Sequence, residues 1–259
     1  MTPPSDGSQT DSLPAWYHAL RPFRAAFDRG LPALMYHKIL RPPRDARARG
    51  LFVSPALFRR QMRELRAAGF SSAPPGPGTD GNPDRRILIT FDDGFTNVLD
   101  HALPALRECG FQAINFLVAD LLGRHNAWET AAGERSDPLM EAAQVRDWLA
   151  AGQLIGSHSL THPRLGQLPL ADARREIFDS RKKLEDRFGV AIEHFCYPYG
   201  NFSPAVRDLV VEAGYATGCS VEVGLNTAAT DRFALKRFLV RHHQPGLLAL
   251  VPFLPSRWL

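Results

Sequence analysis

The sequence has few cysteines, no long apolar run and no strong excess of charge of one sign. Its three cysteines among 259 residues lie far apart, and none forms a Cys-x-x-Cys pair. An odd number of isolated cysteines argues against a disulfide framework and favours a reducing compartment. Basic residues exceed acidic ones by only 31 − 27 = 4. They are scattered instead of forming a stripe with interleaved aromatics, which disfavours a nucleic-acid partner.

No segment approaches the ~18 apolar residues that a membrane span requires. Residues 1–12 are polar and lack the basic and apolar regions of a signal peptide, so we expect a cytoplasmic protein. Two terminal segments are more apolar: residues 13–29, which contain four aromatic side chains, and residues 246–254 (GLLALVPFL). Either could contact a membrane surface as a peripheral element. We favour the alternative that both pack on the domain, because apolar terminal segments usually dock.

Short β-prone runs alternate with helical patterns along most of the chain. Residues 87–91 (ILITF) are typical of a buried parallel strand. Other strands are predicted at residues 34–39, 113–118, 153–157, 194–199, 215–220 and 235–240. About seven strands separated by helices predict a single α/β domain with a parallel sheet, either barrel-like or open. We assign residues 31–259 to this domain and residues 1–30 to a partly disordered N-terminal extension.

Two adjacent carboxylates, Asp92 and Asp93, follow the strand at residues 87–91. In parallel α/β folds the chemistry lies at the carboxyl ends of the strands. Gly94 lets the chain bend there, so that both carboxyl groups can reach one cavity. Such carboxylates repel each other, and a cation on one would leave the other free as a base. The alternative is a solvated Asp-Asp-Gly turn, and this short motif alone does not decide between the two.

Two histidines, His158 and His162, follow another predicted strand. Histidines with this spacing can bind one metal ion from a single turn of chain, and neutral imidazole suits zinc and its neighbours. Pro163 disfavours helical conformation at His162, so we expect a loop. With a carboxylate from another strand end, the pair predicts a two-histidine, one-carboxylate metal site. Neighbouring hydroxyl groups that could hold the imidazole tautomers belong to Ser157, Ser159 and Thr161.

A third segment, residues 195–201 (FCYPYGN), takes an aromatic strand end into a loop with proline and glycine. Aromatic faces stack on sugar rings, and backbone N–H groups beside glycine can donate to an oxyanion. Taken alone, the segment is better explained as a core strand that ends in a turn.

Together and in this order, the three segments resemble the motifs of the NodB-homology polysaccharide deacetylases, carbohydrate esterase family four. The family motifs T-F-D-D-G, H-[ST]-x-x-H and aromatic-Pro-aromatic-Gly correspond to residues 90–94, 158–162 and 197–200. The resemblance extends over residues 34–240. It implies a distorted (β/α) barrel that hydrolyses N-acetyl, and sometimes O-acetyl, groups of a carbohydrate with the help of a metal ion.

The resemblance also implies a role for individual residues. Asp93, His158 and His162 are the implied ligands of a divalent metal, usually zinc. Asp92 is the implied general base toward a water molecule at that metal, and the backbone N–H of Tyr199 is the implied oxyanion donor. The implied substrate is an N-acetylated glycan, either a surface polysaccharide or its precursor.

Two positions depart from the family pattern. Cys196 stands where many members have an arginine that orients the catalytic aspartate, and we suggest that Arg237 substitutes for it from across the barrel. The late Leu-x-His that supplies the general acid in many members has no clear match. His37, in residues 35–37 (MYH), resembles the subgroup that acts on biofilm exopolysaccharide, and we assign the general acid to it. The competing candidates for the acid are His242 and His243.

Two other functions stay open. One is an amide or C–N hydrolase that uses the same scaffold on a non-carbohydrate substrate. The other is a catalytically silent carbohydrate-binding relative, which the missing arginine and late histidine favour. The intact carboxylate pair and histidine pair argue against the silent relative.

Overall fold

A computed structural model of the chain describes residues 27–241 except residues 45, 79, 132 and 134. Most of the N-terminal apolar segment, all of the C-terminal one, and the competing acid candidates His242 and His243 lie outside the described residues. Over the described part of the chain, no helix is both long enough and apolar enough to cross a membrane.

Strands and helices alternate along the described chain. The strands are β1 (Ala33–Tyr36), β2 (Lys38–Ile39), β3 (Phe52–Val53), β4 (Ser71–Ser72), β5 (Arg86–Phe91), β6 (Ile114–Leu117), β7 (Leu154–Ser157), β8 (His194–Cys196), β9 (Thr217–Cys219) and β10 (Phe238–Leu239). The helices are α1 (Pro55–Ala67), α2 (Thr96–Cys109), α3 (Ala127–Ala131), α4 (Ala142–Ala150), α5 (Leu170–Phe188) and α6 (Pro204–Glu212). Short 3-10 turns occur at Arg49–Leu51, Leu165–Gln167 and Pro198–Gly200.

The main sheet is curled and parallel. Its strand order is β10-β1-β5-β6-β7-β8-β9, and β4 pairs with the start of β5. The segment that enters β10 brings the two sheet edges together, because Leu235 pairs with Cys219 of β9 and Phe238 then pairs with Leu34 of β1. The predicted distorted (β/α) barrel with about seven parallel strands is therefore confirmed.

Local signals explain where several elements begin and end. The Ser54 side chain caps α1 by accepting a hydrogen bond from the Leu57 N–H, and proline occupies the first helical position. Gly110 ends α2 in a left-handed conformation with φ 67°. The strand predicted to run to residue 199 ends at Cys196 instead, because Pro198 cannot donate to a strand ladder.

The barrel interior is filled by apolar side chains. Inward-facing side chains from neighbouring strands form a small apolar cluster that includes Leu88, Ile114, Phe116 and Leu235. A larger cluster lies between the sheet and the surrounding helices. Because the interior is packed, the cavity forms at the carboxyl ends of the strands, as in other barrels of this kind.

Candidate active site

The carboxyl ends of β1, β5, β7 and β8 surround a cavity of about 450 Å³. Of the seven residues that the sequence nominated, Arg237 is fully buried next to the cavity. The other six line its wall: His37, Asp92, Asp93, His158, His162 and Tyr199. The fold thus brings residues from four strand ends to one cavity.

Asp93, His158 and His162 converge on one point. The Oδ1 atom of Asp93 lies 3.4 Å from Nε2 of His158 and 3.2 Å from Nε2 of His162. All three side chains are buried, and their ligand atoms lie within 4.8 Å of one another. Ligand atoms placed ~2.0–2.1 Å from a tetrahedral zinc ion are about 3.4 Å apart. The three residues therefore fit a divalent cation and leave one side open to the cavity.

A backbone carbonyl fixes the orientation of one imidazole. Nδ1 of His158 donates to the Cys196 carbonyl oxygen at 2.7 Å, which leaves Nε2 free to bind a cation. The hydroxyl groups that we expected to hold the imidazoles bond to other partners. That expectation is therefore wrong. The Ser157 hydroxyl donates to Ser180, and the Ser159 hydroxyl accepts from the His162 backbone N–H.

The loop that carries the histidines is held by a glutamate that sequence reasoning missed. Glu176 of α5 is buried, and its Oε2 accepts hydrogen bonds from the backbone N–H groups of Leu160 and Thr161 at 2.8 and 2.9 Å. Its Oε1 accepts from the Thr161 hydroxyl at 2.7 Å. These bonds pair the backbone N–H groups of the tight turn that leads to His162.

Backbone strain is concentrated at this cavity. Among the described non-glycine residues, five have positive φ, and four of them belong to the site. Those four are Asp93 (φ 77°), Ser159 (φ 66°), His162 (φ 67°) and Tyr199 (φ 58°). Each such conformation costs about 1–3 kcal/mol and persists where the surroundings enforce it, a pattern common at functional sites.

Two aromatic rings enclose His162. Trp128 of α3 stacks on its imidazole with ring centroids 4.1 Å apart and planes 26° apart, and Tyr199 meets it edge-on at 4.6 Å. Sequence reasoning missed Trp128, because no motif marks this short helix between β6 and β7. The stacked ring covers one face of His162 and limits where its nitrogen can point.

A buried ion pair anchors the segment that carries Trp128. Nζ of Lys38 lies 2.9 Å from Asp137 Oδ2, and both side chains are almost fully buried. The ammonium group sits between the rings of Phe52 and Phe95, 5.0 and 4.5 Å from their centroids. This contact connects β2, next to His37, to Asp137, whose backbone N–H donates to Oδ1 of Asn126 just before α3.

Asp92 is held by a guanidinium group. Nη1 and Nη2 of Arg237 donate to its two carboxylate oxygens at 2.7 and 2.9 Å. Arg237 also donates to the Thr90 hydroxyl at 3.0 Å and to the Ser220 carbonyl oxygen at 2.8 Å. Burial raises the pKa of Asp92, but the charge and hydrogen bonds of Arg237, together with the nearby imidazoles of His37 and His158, hold that pKa below its ordinary value. The carboxylate is therefore ionised and fixed in orientation.

Cys196, at the position of the expected arginine, packs against this ion pair. Its Sγ lies 3.1 Å from Nη2 of Arg237 and 3.6 Å from Oδ2 of Asp92. Burial raises the pKa of its thiol to about 11, so it stays protonated at neutral pH. The small side chain of Cys196 leaves space for the guanidinium group of Arg237, which reaches Asp92 from the β10 side of the barrel.

His37 lies on the other side of Asp92. Its Nε2 is 4.0 Å from Asp92 Oδ2, and its buried Nδ1 has no hydrogen-bond partner among the described residues. An unsatisfied lone pair costs less than an unsatisfied N–H, so Nδ1 is the unprotonated nitrogen and Nε2–H faces the cavity. Burial lowers the pKa of His37, although the nearby carboxylates oppose this effect.

The polysaccharide deacetylase family model matches residues 79–218, more than half of the chain. The chain belongs to this family. The match includes all three sequence motifs, whereas His37 and Arg237 lie outside it. YxkH from Bacillus subtilis, which is named for the same family, is 26% identical over 244 residues, covering 92% of this chain and 77% of YxkH.

Other relatives connect the chain to named enzymes. The poly-beta-1,6-N-acetyl-D-glucosamine N-deacetylase of Staphylococcus aureus (strain MRSA252) is 24% identical over 161 residues, which cover 61% of this chain and 55% of that enzyme. The chain thus spans only about half the length of that relative. IcaB from Ammonifex degensii has a TM-score of 0.69 at 23% identity, over 82% of this chain and 92% of that one. Streptococcus pyogenes PplD has a TM-score of 0.68 at 20% identity, over 86% and 96%. Both structures share the fold.

Proposed function

We propose that the protein is a metal-dependent deacetylase that hydrolyses N-acetyl groups of a carbohydrate, either an N-acetylhexosamine-containing polysaccharide or its precursor. The observation that carries this proposal is that two adjacent carboxylates have different partners. Asp93 faces two imidazoles at metal-ligand spacing, while Asp92 is held by Arg237. One carboxylate is therefore placed to bind a cation, and the other to act as a base beside it.

Asp93, His158 and His162 would hold the divalent cation, which in this family is usually zinc. Such a cation would act as a Lewis acid that lowers the pKa of a water molecule far below its bulk value, to about 7. A carboxylate can deprotonate water of that acidity at neutral pH.

Asp92 accepts the proton of the attacking water in this proposal. Its lowered pKa keeps it ionised and ready as an acceptor at neutral pH. Arg237 acts as a positioning residue, since its paired hydrogen bonds fix the carboxylate plane without reaching the cavity wall. The planar fork of arginine suits this task, which a lysine could not perform in the same way.

Tyr199 and His37 complete the proposed site. The strained backbone at Tyr199 lies on the cavity wall, and its N–H would donate to the oxyanion as the acetamide carbonyl is attacked. His37 presents Nε2 to the cavity and would transfer a proton to the leaving nitrogen. Because burial lowers its pKa, His37 is neutral in the resting site. Nε2 would give its proton to the leaving nitrogen and take up in its place the proton that Asp92, whose Oδ2 lies 4.0 Å away, accepted from the water.

The general-acid assignment predicts that His37→Gln reduces kcat at least about 100-fold while the metal content stays unchanged. The glutamine is similar in size and polar, but it cannot take up and release a proton. Metal analysis and acetate release on the same sample measure both quantities. His101→Gln on α2, outside the cavity, is the matched control. An unchanged kcat in His37→Gln, or the same loss in His242→Ala instead, would remove His37 from this role.

Acetate release from a substrate panel tests the proposed function. The panel contains chitooligosaccharides, β-1,6-linked N-acetylglucosamine oligomers, nucleotide- and lipid-linked N-acetyl sugars, and acetylated non-carbohydrate amides. We expect acetate from at least one glycan, loss of that activity with a chelator and recovery with Zn²⁺. Turnover of the non-carbohydrate amides alone would favour the C–N hydrolase. No turnover by fully metal-loaded protein would favour the silent carbohydrate-binding relative.

A further inference from the structure

Building on the proposed deacetylase function, we propose that the substrate carries a negative charge, a phosphate or a carboxylate, close to the reacting N-acetyl group. The feature that points to this substrate class is the rim of the cavity. Arg241, at the end of the described chain, lines the cavity and is exposed. Its side chain passes over the backbone at Gly50. The Cδ atom of Arg241 lies 3.6 Å from the position that a Cβ atom on Gly50 would occupy.

The charges inside the cavity are balanced, whereas those at its rim are not. Asp92 and Asp93 are the only carboxylates among the described lining residues. Arg237 neutralises the first, and a divalent cation would more than neutralise the second. At the rim, Arg241 has no ion-pair partner within the described ranges. Its positive charge therefore faces the entrance with no counter-ion from the residues that the structure describes.

A second arginine, Arg164, contacts a residue of the cavity wall. The guanidinium group of Arg164 sits 4.2 Å from the centroid of the Tyr199 ring, and Tyr199 lines the cavity. No carboxylate pairs with Arg164 in the part of the chain that the structure describes. Stacking leaves the edge of a guanidinium group free to donate to an anion. One arginine thus lines the cavity, and a second stacks on a residue of its wall.

Among the described residues, the acidic side chain next to this part of the rim is already paired. Glu222 lies between the exposed Val221 and Val223, which line the cavity. Its Oε1 is 2.8 Å from Nζ of Lys236, so its charge is locally balanced. The two valines and Tyr199 are three of the six exposed large hydrophobic residues in the described chain. The entrance consequently combines an apolar contact surface with arginine charge that no described carboxylate balances.

This charge distribution discriminates between two kinds of glycan. Deacetylation of an amino sugar converts a neutral acetamide into an ammonium group, so a polymer of such sugars becomes cationic as the reaction proceeds. A positive rim repels that product and weakens binding to partly deacetylated chains. A glycan with phosphate or carboxylate groups is instead attracted, and arginine can bind either anion with two parallel hydrogen bonds.

The test compares matched pairs of substrates with the full-length, zinc-loaded protein. One pair is an N-acetylglucosamine tetramer and a tetrasaccharide that alternates N-acetylglucosamine with glucuronate. The other pair is octyl N-acetylglucosaminide and octyl N-acetylglucosamine phosphodiester. The ratio of kcat/KM, anionic over neutral, is measured by acetate release for each pair. We expect a ratio above one in at least one pair, which also identifies the anion as carboxylate or phosphate.

Variants test whether the two arginines cause the preference for anionic substrates. Arg241→Gln should lower the anionic-to-neutral ratio roughly three- to tenfold, and added Arg164→Gln should lower it further. Arg187→Gln is the matched control, because the C-terminal end of α5 lies at the opposite end of the barrel. Raising the salt concentration should also reduce the ratio in the wild-type protein.

Two outcomes overturn the proposal in distinguishable ways. If neutral substrates are hydrolysed as fast as anionic ones, or Arg241→Gln leaves the ratio unchanged, the charge requirement is wrong and the deacetylase function stands. If fully metal-loaded protein releases acetate from no member of either pair or of the wider panel, the deacetylase function and the inference that rests on it both fail.

Discussion

Replacing His158 by alanine should abolish metal binding and acetate release together. The cation would lose one of its three protein ligands, and the remaining Asp93 and His162 offer only two. Zinc sites with open positions normally use three protein ligands, so binding at micromolar metal should be lost and turnover should fall by about 1,000-fold or more. Metal per chain after dialysis and acetate release from the same sample give both quantities.

The control for this variant is His101→Ala, which removes an imidazole from α2 and should leave both quantities unchanged. A melting curve identifies loss of fold, because the buried Asp93 loses one of its two imidazole neighbours. His162→Ala should reproduce the effect of His158→Ala. Retention of one metal ion per chain by either folded variant would contradict the ligand assignment.

Asp92→Asn should separate metal binding from catalysis. The asparagine has nearly the same shape and is not one of the proposed ligands, so the variant should bind the metal as the wild type does. It cannot accept a proton from water, and kcat should fall roughly 10²- to 10⁴-fold. Wild-type turnover in the variant would remove Asp92 from the role of base, and loss of the metal would show that it is a ligand.

The same substitution should destabilise the fold. An amide offers one acceptor where Arg237 now donates to two oxygens, and it leaves a fully buried guanidinium group without a counter-charge. Removing one partner of a buried ion pair costs about 3–5 kcal/mol, and the retained hydrogen bond should moderate that cost. The double variant Asp92→Asn/Arg237→Met, which removes the buried charge, should recover part of the unfolding free energy without recovering turnover.

The pH dependence of stability gives an independent check on this ion pair. Arg237 holds the pKa of Asp92 below its unfolded value, so the pair stabilises the native state above the unfolded pKa of about 3.9. That contribution is lost as the pH falls through the native pKa. The difference in unfolding free energy between wild type and Asp92→Asn should therefore narrow below about pH 4. A difference independent of pH would indicate that the ion pair does not stabilise the fold.

The sequence predicted those parts of the molecule that local rules determine. Strands such as β5 follow from an uninterrupted apolar run, and α1 follows from its serine cap and proline. The carboxyl-end rule for parallel sheets brought Asp92, Asp93, His158 and His37 to one place, because each follows a strand end. The position of Arg237 beside Asp92 needed an additional step, namely that the last strand returns to β1 and closes the barrel.

Features that depend on side-chain packing between distant segments could not be predicted. Trp128 stacks on His162 and Glu176 braces the histidine loop, but both are ordinary residues in ordinary helices when only the sequence is seen. The carbonyl that orients His158 belongs to the backbone at Cys196, so no residue type signals it. Likewise, the sequence indicates no role for Arg241, because only the folded barrel places this residue at the cavity entrance.

Titration of metal-stripped protein with zinc, followed by metal analysis and acetate release, tests the central claim most directly. Wild-type activity should rise with zinc and saturate at one ion per chain. Asp92→Asn should take up the same single ion with almost no acetate release, and Asp93→Asn should take up none. Full activity in the metal-stripped wild type, or stoichiometric zinc binding by Asp93→Asn, would contradict it.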